Sequence, residues 1–504
     1  MNVLDHAAAR PDVIALDDLT RRRTWGELVD RSTRLAHLLR DDLRLEPGTH
    51  VASIISNRVE WFELSLATVL SGVWLVPVNT HLQPDEIAYI LGDSGARVAL
   101  VDDAHRPLAT AAGATEILGV GAELDHLLDA ASDRPIALDG PPGGRMHYTS
   151  GTTGRPKGVK RDLPRTAGEY LELLGALGRA VGLDGTGSHL LTGPHYHAAV
   201  GGYALFDLCN GASVVLMPRF DAMDVLDHVM AFAIAHAHLV PTMFVRLLRL
   251  PDEVRAAFDP SSLTHVLHGA APIARSTKEA MIEWWGPVLV EYWGTSEGGT
   301  YTTISSQEWC EHPGSVGRPL PGIEVVALDD DGTPVAPGVV GTLHCRTGSA
   351  PRPFRYHHDD AKTDATYREP GLFTTGDMGR IDADGYVYLA DRATNMIISG
   401  GVNIYPVEVE AAMVTHPAVA DVAVFGVPDE EWGEQVKAAV ELAPGYEPTA
   451  ELAAALIAHA RARVAHYKAP KSIDFEATLP RLPSGKLRVQ FLKERYWTAR
   501  DRRI

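Results

Sequence analysis

From residue 50 to about residue 300, short apolar runs alternate with longer stretches whose apolar positions recur every three or four residues. Val51-Ala-Ser-Ile-Ile and Ser213-Val-Val-Leu-Met read as strands, and residues 221–235 read as a helix. That alternation predicts an α/β sheet architecture. The longest apolar stretch, residues 64–78, is interrupted by Ser71, Gly72 and Pro77. It predicts a buried helix followed by a strand, and is too short and broken to span a bilayer. Downstream, Pro84-Asp-Glu places a proline and two carboxylates in a first helical turn, Gly92 or Gly95 supplies its end, and Arg97-Val-Ala-Leu-Val follows as a strand.

Beyond residue 312 the texture turns β-rich, with Ile323-Glu-Val-Val-Ala-Leu, the turn Asp330-Asp-Gly-Thr, and an apolar run over 339–346. A small sheet or barrel subdomain is expected there. A polar stretch at 391–395 precedes a last segment with its own patterns at 407–415, 419–427 and 451–465. A chain of 504 residues exceeds what one hydrophobic core serves. The expected division is a large N-terminal domain over 1–391, built of α/β sheet subdomains and a small β-rich one, a hinge at 392–395, and a small α+β domain over 396–504.

Composition acts mainly by exclusion. With 65 acidic against 46 basic residues and a net charge of -19, the chain lacks the positive footprint that nucleic acid or an anionic membrane needs. Cys209, Cys310 and Cys345 lie far apart without metal-ligand spacing, so free thiols in a reducing compartment are expected. Met1-Asn-Val-Leu-Asp-His lacks the basic start and apolar core of a secretory signal, which makes the cytoplasm the expected location. The cluster Arg21-Arg22-Arg23 reads as a solvated turn. A homodimer is compatible with the chain, but no visible pattern encodes one.

The segment Tyr148-Thr-Ser-Gly-Thr-Thr-Gly-Arg-Pro-Lys157-Gly158 carries the strongest chemical signal. Gly151 and Gly154 allow close backbone approach, Ser150, Thr152 and Thr153 offer donors, and Lys157 offers a mobile cation for outer phosphates. A Walker loop needs Gly-Lys-Ser/Thr leading into a helix, whereas here Pro156 precedes the lysine and Gly158-Val159 follows it. An isolated turn of this composition is ordinarily just a polar surface feature. The length of the run and its embedded Pro-Lys-Gly argue against coincidence.

With five further segments in order between about residue 190 and residue 486, the chain resembles the adenylate-forming superfamily of acyl-CoA synthetases, aryl-CoA ligases, peptide-synthetase adenylation domains and firefly luciferase. Its loop wording, especially Asn395-Met-Ile-Ile-Ser-Gly-Gly-Val-Asn-Ile-Tyr-Pro, is most similar to bacterial acyl-CoA synthetases. The resemblance implies ATP and Mg²⁺ as co-substrate and metal, a small-molecule acid, and coenzyme A as acceptor. It assigns catalytic roles to Thr152, Lys157, Glu297 and Lys486, and nucleotide contacts to Thr149, Ser150, Gly151, Thr153 and Gly154. Lys486, in Leu482-Pro-Ser-Gly-Lys486-Leu, would reach between the carboxylate and the α-phosphate. Glu297, in Glu291-Tyr-Trp-Gly-Thr-Ser-Glu297-Gly, would help hold Mg²⁺.

By the same resemblance, His268, Gly269, Ala270, Ala271 and Pro272 form a small-residue loop meeting adenine and the acid, and Tyr292, Trp293, Gly294, Thr295 and Ser296 continue the nucleotide site. The usual wording at 293–297 is Tyr-Gly-x-Thr-Glu; Trp293 keeps an aromatic face for adenine and Ser296 keeps a hydroxyl for the α-phosphate. Asp377 and Arg392 match ribose or phosphate contacts. The acid pocket falls on His195, Tyr196, His197, Val240, Pro241, His268 and Thr300, where histidines either bind a polar group or pack the wall. His-x-His spacing alone does not make a metal site. Asn395 takes the hinge position, and Ser399, Gly400 and Gly401 the loop that lines a thiol tunnel once the mobile C-terminal domain has rotated.

Two competing readings remain at this level. Gly294-x-Ser296-x-Gly298 also spells the nucleophile elbow of serine hydrolases, a short pattern that arises readily by chance. Within the superfamily, an activated oxyacid can also be passed to an amine, as in amide-forming or nitrite-activating diazotase members. Retention of Lys157, Glu297, Asp377 and Lys486 argues against a relative that has lost turnover.

Overall fold

The structure, a computed structural model, describes residues 2–149, 156–348, 350–392, 395–399, 402–429, 432–482 and 487–497. Of Asp391, Arg392, Ile398, Val402, Asn403 and Gly433 it describes the backbone alone. A nine-stranded sheet runs in the order Arg318–Pro319, Gly299–Ser305, Leu289–Thr295, His265–His268, Ile234–Leu239, Ser188–Leu191, Ser213–Leu216, Ile14–Asp17, Arg22–Thr24. Its pairings are parallel from Leu289–Thr295 through Ile14–Asp17 and antiparallel at both edges. A second sheet, in the order Trp74–Pro77, His50–Ile54, Val98–Val101, Ile117–Gly119, is parallel throughout. Parallel strands buried on both faces explain why these segments read as continuous apolar runs.

Residues 64–78 resolve as expected into the helix Val59–Ser71 and the strand Trp74–Pro77. Every residue of that helix is buried, which accounts for its lack of a polar face. Its carboxylates Glu60 and Glu63 require partners in that setting. Arg21 lies 2.7 Å from Glu60, Arg23 2.7 Å from Glu63, and Arg31 2.8 Å from Glu63. Arg21 and Arg23 therefore point inward, contrary to the solvated turn expected of them; Arg22 alone of the three stays largely exposed, beside Asp17.

The helix expected over 221–235 spans Ala222–Ala231, with Asp221 as N-cap accepting from Met223 N and Asp224 N. It stops early because Ala233 takes a left-handed conformation at φ 46°, and Ile234 opens a strand. The helix beginning at Pro84 ends at Ser94 with Gly95, at φ 62°, as its left-handed cap, so Gly92 is interior.

The β-rich region forms two small sheets. One contains Ile323–Leu328, Gly341–Thr347, Leu372–Ile381, Tyr367–Glu369 and Val387–Arg392; the other contains Phe354–Tyr356, Lys157–Arg161 and His147–Thr149. They share a core of Val159, Trp293, Tyr301, Phe354, Tyr356 and Phe373, so the phosphate-loop strand belongs structurally to this region. Between Arg392 and Ile397 the chain passes into a different sheet, built of Val402–Ile404, Ile397–Ser399, Gly433–Leu442, Val419–Asp429 and Ser472–Glu476. Helices Pro406–Met413 and Ala450–Arg461 pack against it around a separate apolar core. Among the described residues no helix is long and apolar enough to cross a membrane.

Candidate active site

In an open parallel sheet the carboxyl ends of the strands are where ligands meet the fold. Strand His265–His268 delivers the loop Gly269–Pro272 to that edge. A Cβ on Gly269 would lie 2.5 Å from the Tyr292 carbonyl oxygen, so only glycine fits. Ala270 holds φ 63°, a left-handed conformation that costs an L-residue energy and is retained where structure over-determines it.

The neighbouring strand Leu289–Thr295 returns through a tight turn into Gly299–Ser305. A Cβ on Gly294 would sit 2.2 Å from the Gly299 carbonyl oxygen. Thr295 Oγ1 is 2.6 Å from the Tyr301 hydroxyl and accepts from Gly298 N at 3.2 Å, while Arg161 donates to the carbonyls of Ser296 and Thr295. A nucleophile elbow joins a strand to a helix. Here strand leads to strand, which removes the hydrolase reading of Ser296.

This turn presents Glu297, whose Oε1 accepts a 3.0 Å hydrogen bond from the Tyr356 hydroxyl. Lys157 opens the strand Lys157–Arg161, and its Nζ lies 2.8 Å from Asp359 Oδ2. Hydrogen bonding to Asp359 raises the Lys157 pKa above its ordinary value, so the ammonium stays charged. Asp377 is buried, and Trp293 Nε1 donates to its Oδ2 at 2.9 Å. The Trp293 ring is 5% exposed and packs edge-on against Tyr301 at 5.0 Å. Trp293 thus supports the Asp377 carboxylate. Asp377 and Arg392 are cross-strand partners in the backbone ladder.

The expected acid-pocket histidines divide. His195 is 1% exposed, stacks on Trp61 at 5.0 Å, and donates from Nε2 to the carbonyls of Ser56 at 2.9 Å and Ile55 at 3.2 Å. Burial lowers its pKa to about 4, so the imidazole is neutral and packs the wall. Strand alternation sends Leu267 and Tyr292 toward helix Ala198–Asn210, whereas the His268 ring packs on Phe244 of helix Pro241–Leu248, on the opposite face. Its pKa is pushed well below the ordinary value, first by burial and then by Lys278. His197 caps the start of helix Ala198–Asn210 and stands beside Tyr196, ring centroids 4.6 Å apart. Val240 is buried at the start of helix Pro241–Leu248, with Pro241 in its first turn.

On the helix-facing side the structure adds groups that the sequence reading passed over. Tyr203 is hydrogen-bonded to Thr300 Oγ1 at 2.7 Å, and His238 Nε2 to the Tyr292 hydroxyl at 2.9 Å. Burial lowers the His238 pKa to about 3, so the imidazole is neutral. The period-two alternation of His236 and His238 in Ile234–Leu239 was the available signal for His238. Thr149 ends the strand His147–Thr149, and Asn395 and Ser399 are half-buried. Ser150, Gly151, Thr152, Thr153, Gly154, Gly400, Gly401 and Lys486 lie outside the described residues, as does the Arg392 side chain.

Residues 3–350 match the family AMP-binding enzyme, and residues 408–486 match AMP-binding enzyme C-terminal domain. The chain belongs to the AMP-binding, adenylate-forming enzymes. It is 34% identical to a feruloyl-CoA synthase of an Amycolatopsis species, covering 94% of each chain. It is 31% identical to the fatty acid–[acyl-carrier-protein] ligase ScoC of Streptomyces coeruleorubidus, over 99% of this chain and 96% of that one. The o-succinylbenzoate CoA synthetase of Bacillus subtilis, solved with its acyl-adenylate intermediate, superposes with a TM-score of 0.84 at 29% identity and 97% coverage of both chains.

Proposed function

We propose that this protein is an AMP-forming acid–CoA ligase, and that residues 1–391 bind nucleotide and acid while 396–504 rotate about 392–395. A carboxylate oxygen of the acid attacks the α-phosphorus of ATP, the bond to the β-phosphate oxygen breaks, and pyrophosphate leaves. The thiolate sulfur of coenzyme A then attacks the acyl carbon of the mixed anhydride and AMP departs. Support comes from one arrangement: the end of strand Leu289–Thr295 carries both Trp293, bonded to Asp377, and the turn with Glu297, bonded to Tyr356. Groups for ribose and for metal-bound phosphate are thereby fixed to one rigid element.

Asp377 would accept from the ribose hydroxyls, with Arg392 beside it in the ladder. Lys157 and the loop Ser150–Gly154 would hold the outer phosphates, with Thr152 among the donors, and Lys486 would stabilise charge between the carboxylate and the α-phosphate. Glu297 suits Mg²⁺, a hard cation that takes one or two carboxylates plus substrate phosphates and not an all-protein cage. When bound, Mg²⁺ would neutralise charge on the leaving pyrophosphate. His197, Tyr196, Val240 and the neutral Tyr203–Thr300 and His238–Tyr292 pairs would enclose the acid.

The test is AMP release from ATP and Mg²⁺ across short, long and aromatic acids, with coenzyme A, a phosphopantetheinyl carrier protein, an amine, or no acceptor. AMP and thioester formation that depend on coenzyme A support the ligase. Turnover that requires an amine and ignores coenzyme A overturns the acceptor assignment.

A further inference from the structure

We infer that Asp359 is a positioning residue that holds the Lys157 ammonium between turnovers and exchanges it with the outer phosphates of the nucleotide, so that it sets pyrophosphate affinity. The inference rests on the proposed placement of Lys157 at those phosphates. The contact is built into the backbone: Phe354–Tyr356 pairs antiparallel with Lys157–Arg161, Tyr356 faces Val159, and His357 N donates to the Gly158 carbonyl at 2.7 Å. His358 then adopts φ 53°, a left-handed conformation that histidine tolerates better than most side chains, and the chain turns into helix Asp360–Thr366 at Asp359.

The carboxylate of Asp359 is divided between two tasks. Its Oδ1 accepts from Lys362 N at 3.0 Å as the helix N-cap, which fixes the rotamer, while Oδ2 faces Lys157 Nζ at 2.8 Å. Lysine is therefore the partner free to swing, a compact ammonium on a flexible four-carbon stem. The side chains are 31% and 23% exposed, so a ligand can reach the pair. The buried pair Lys278–Glu291, at 2.6 Å with 0% and 8% exposure, makes the contrast: burial locks it in place.

The same short segment grips the other charged group of the site, since Tyr356 donates to Glu297 three residues earlier. Incoming phosphates carry several negative charges and displace the Asp359 carboxylate from Lys157. Once pyrophosphate begins to leave, Asp359 recaptures the ammonium and competes against rebinding. Removing its charge leaves Lys157 committed to phosphate.

Asp359→Asn tests this, because asparagine caps a helix as well as aspartate does and the fold should be retained. Calorimetric titration with Mg²⁺–pyrophosphate and with Mg²⁺–ATP, without acid, is expected to show both binding roughly two- to fivefold tighter than in the wild type, the range an exposed ion pair spans. In a Lys157→Ala background the same substitution is expected to change neither, since the effect passes through that lysine. Unchanged affinities in a folded Asp359→Asn protein, or equal tightening without Lys157, would overturn the inference while leaving the ligase reading intact. A wild-type protein that binds neither ligand would overturn both.

Discussion

At the residue scale, the site is a set of tethers as much as a set of functional groups. Trp293 lies 84 positions from Asp377 and Tyr356 lies 59 positions from Glu297, yet each pair is joined by a hydrogen bond. Trp293→Phe keeps the buried ring and removes the N–H, so Asp377 loses a donor that orients its carboxylate. The expected outcome is a rise in KM for ATP of roughly five- to tenfold, in line with a lost bond to a charged acceptor, with little change in thermal midpoint. Steady-state kinetics at saturating acid checks it; an unchanged KM would mean that ribose binding does not depend on this tie.

These tethers also mark what was legible in the chain. Glu297, Asp377 and Lys157 sit inside contiguous motifs whose residue types suit phosphate and ribose, and the structure gives each a defined place. Tyr356, Asp359 and Tyr203 carry no local signal, because their partners come from elements distant in sequence. For His195 and His268 the sequence left two alternatives open, polar contact or wall, and strand alternation and packing show which face each ring occupies.

At the element scale, the apolar pattern anticipated strands and helices because buried parallel strands and all-buried helices are dominated by apolar residues, with few polar positions among them. Boundaries moved where a single backbone conformation intervened, as at Ala233. Arg21 and Arg23 were misread because their partners, Glu60 and Glu63, lie inside an otherwise apolar helix. Several histidines in or beside the sheets, some half-buried and some fully buried, are held neutral. Burial lowers His50, His265 and His357 to about 4 and His147 and His238 to about 3. In the unfolded chain these groups titrate near 6.5. As pH falls below that value the unfolded state takes up protons that the folded state refuses, so stability is full above about pH 7 and is lost progressively toward pH 4. Chemical denaturation between pH 8 and pH 4 is expected to show a flat plateau followed by a steep decline; a midpoint that holds level down to pH 5 would contradict this.

At the scale of the whole molecule, the motifs proposed for catalysis fall in two folded regions joined at the proposed hinge, 392–395. Arg249 Nη2 donates to the Ala420 carbonyl at 2.7 Å, so the end of helix Pro241–Leu248 touches strand Val419–Asp429, a contact that rotation would break. The proposed division of labour makes Lys486 a group for the first step only. Lys486→Ala is expected to slow acid-dependent pyrophosphate release by roughly 10²-fold or more, while supplied acyl-adenylate still gives thioester at a near-normal rate. Equal loss of both steps would mean that the lysine serves both.

The most direct test of the central claim is a rapid-quench single turnover with enzyme in excess of an accepted acid, in the presence of ATP and Mg²⁺ and before any acceptor is added. Acyl-adenylate is expected to build up together with equimolar pyrophosphate, and a chase with coenzyme A should convert it to thioester and AMP. If no adenylate forms, or if it forms and coenzyme A leaves it untouched while an amine consumes it, the account of this protein as an acid–CoA ligase is contradicted.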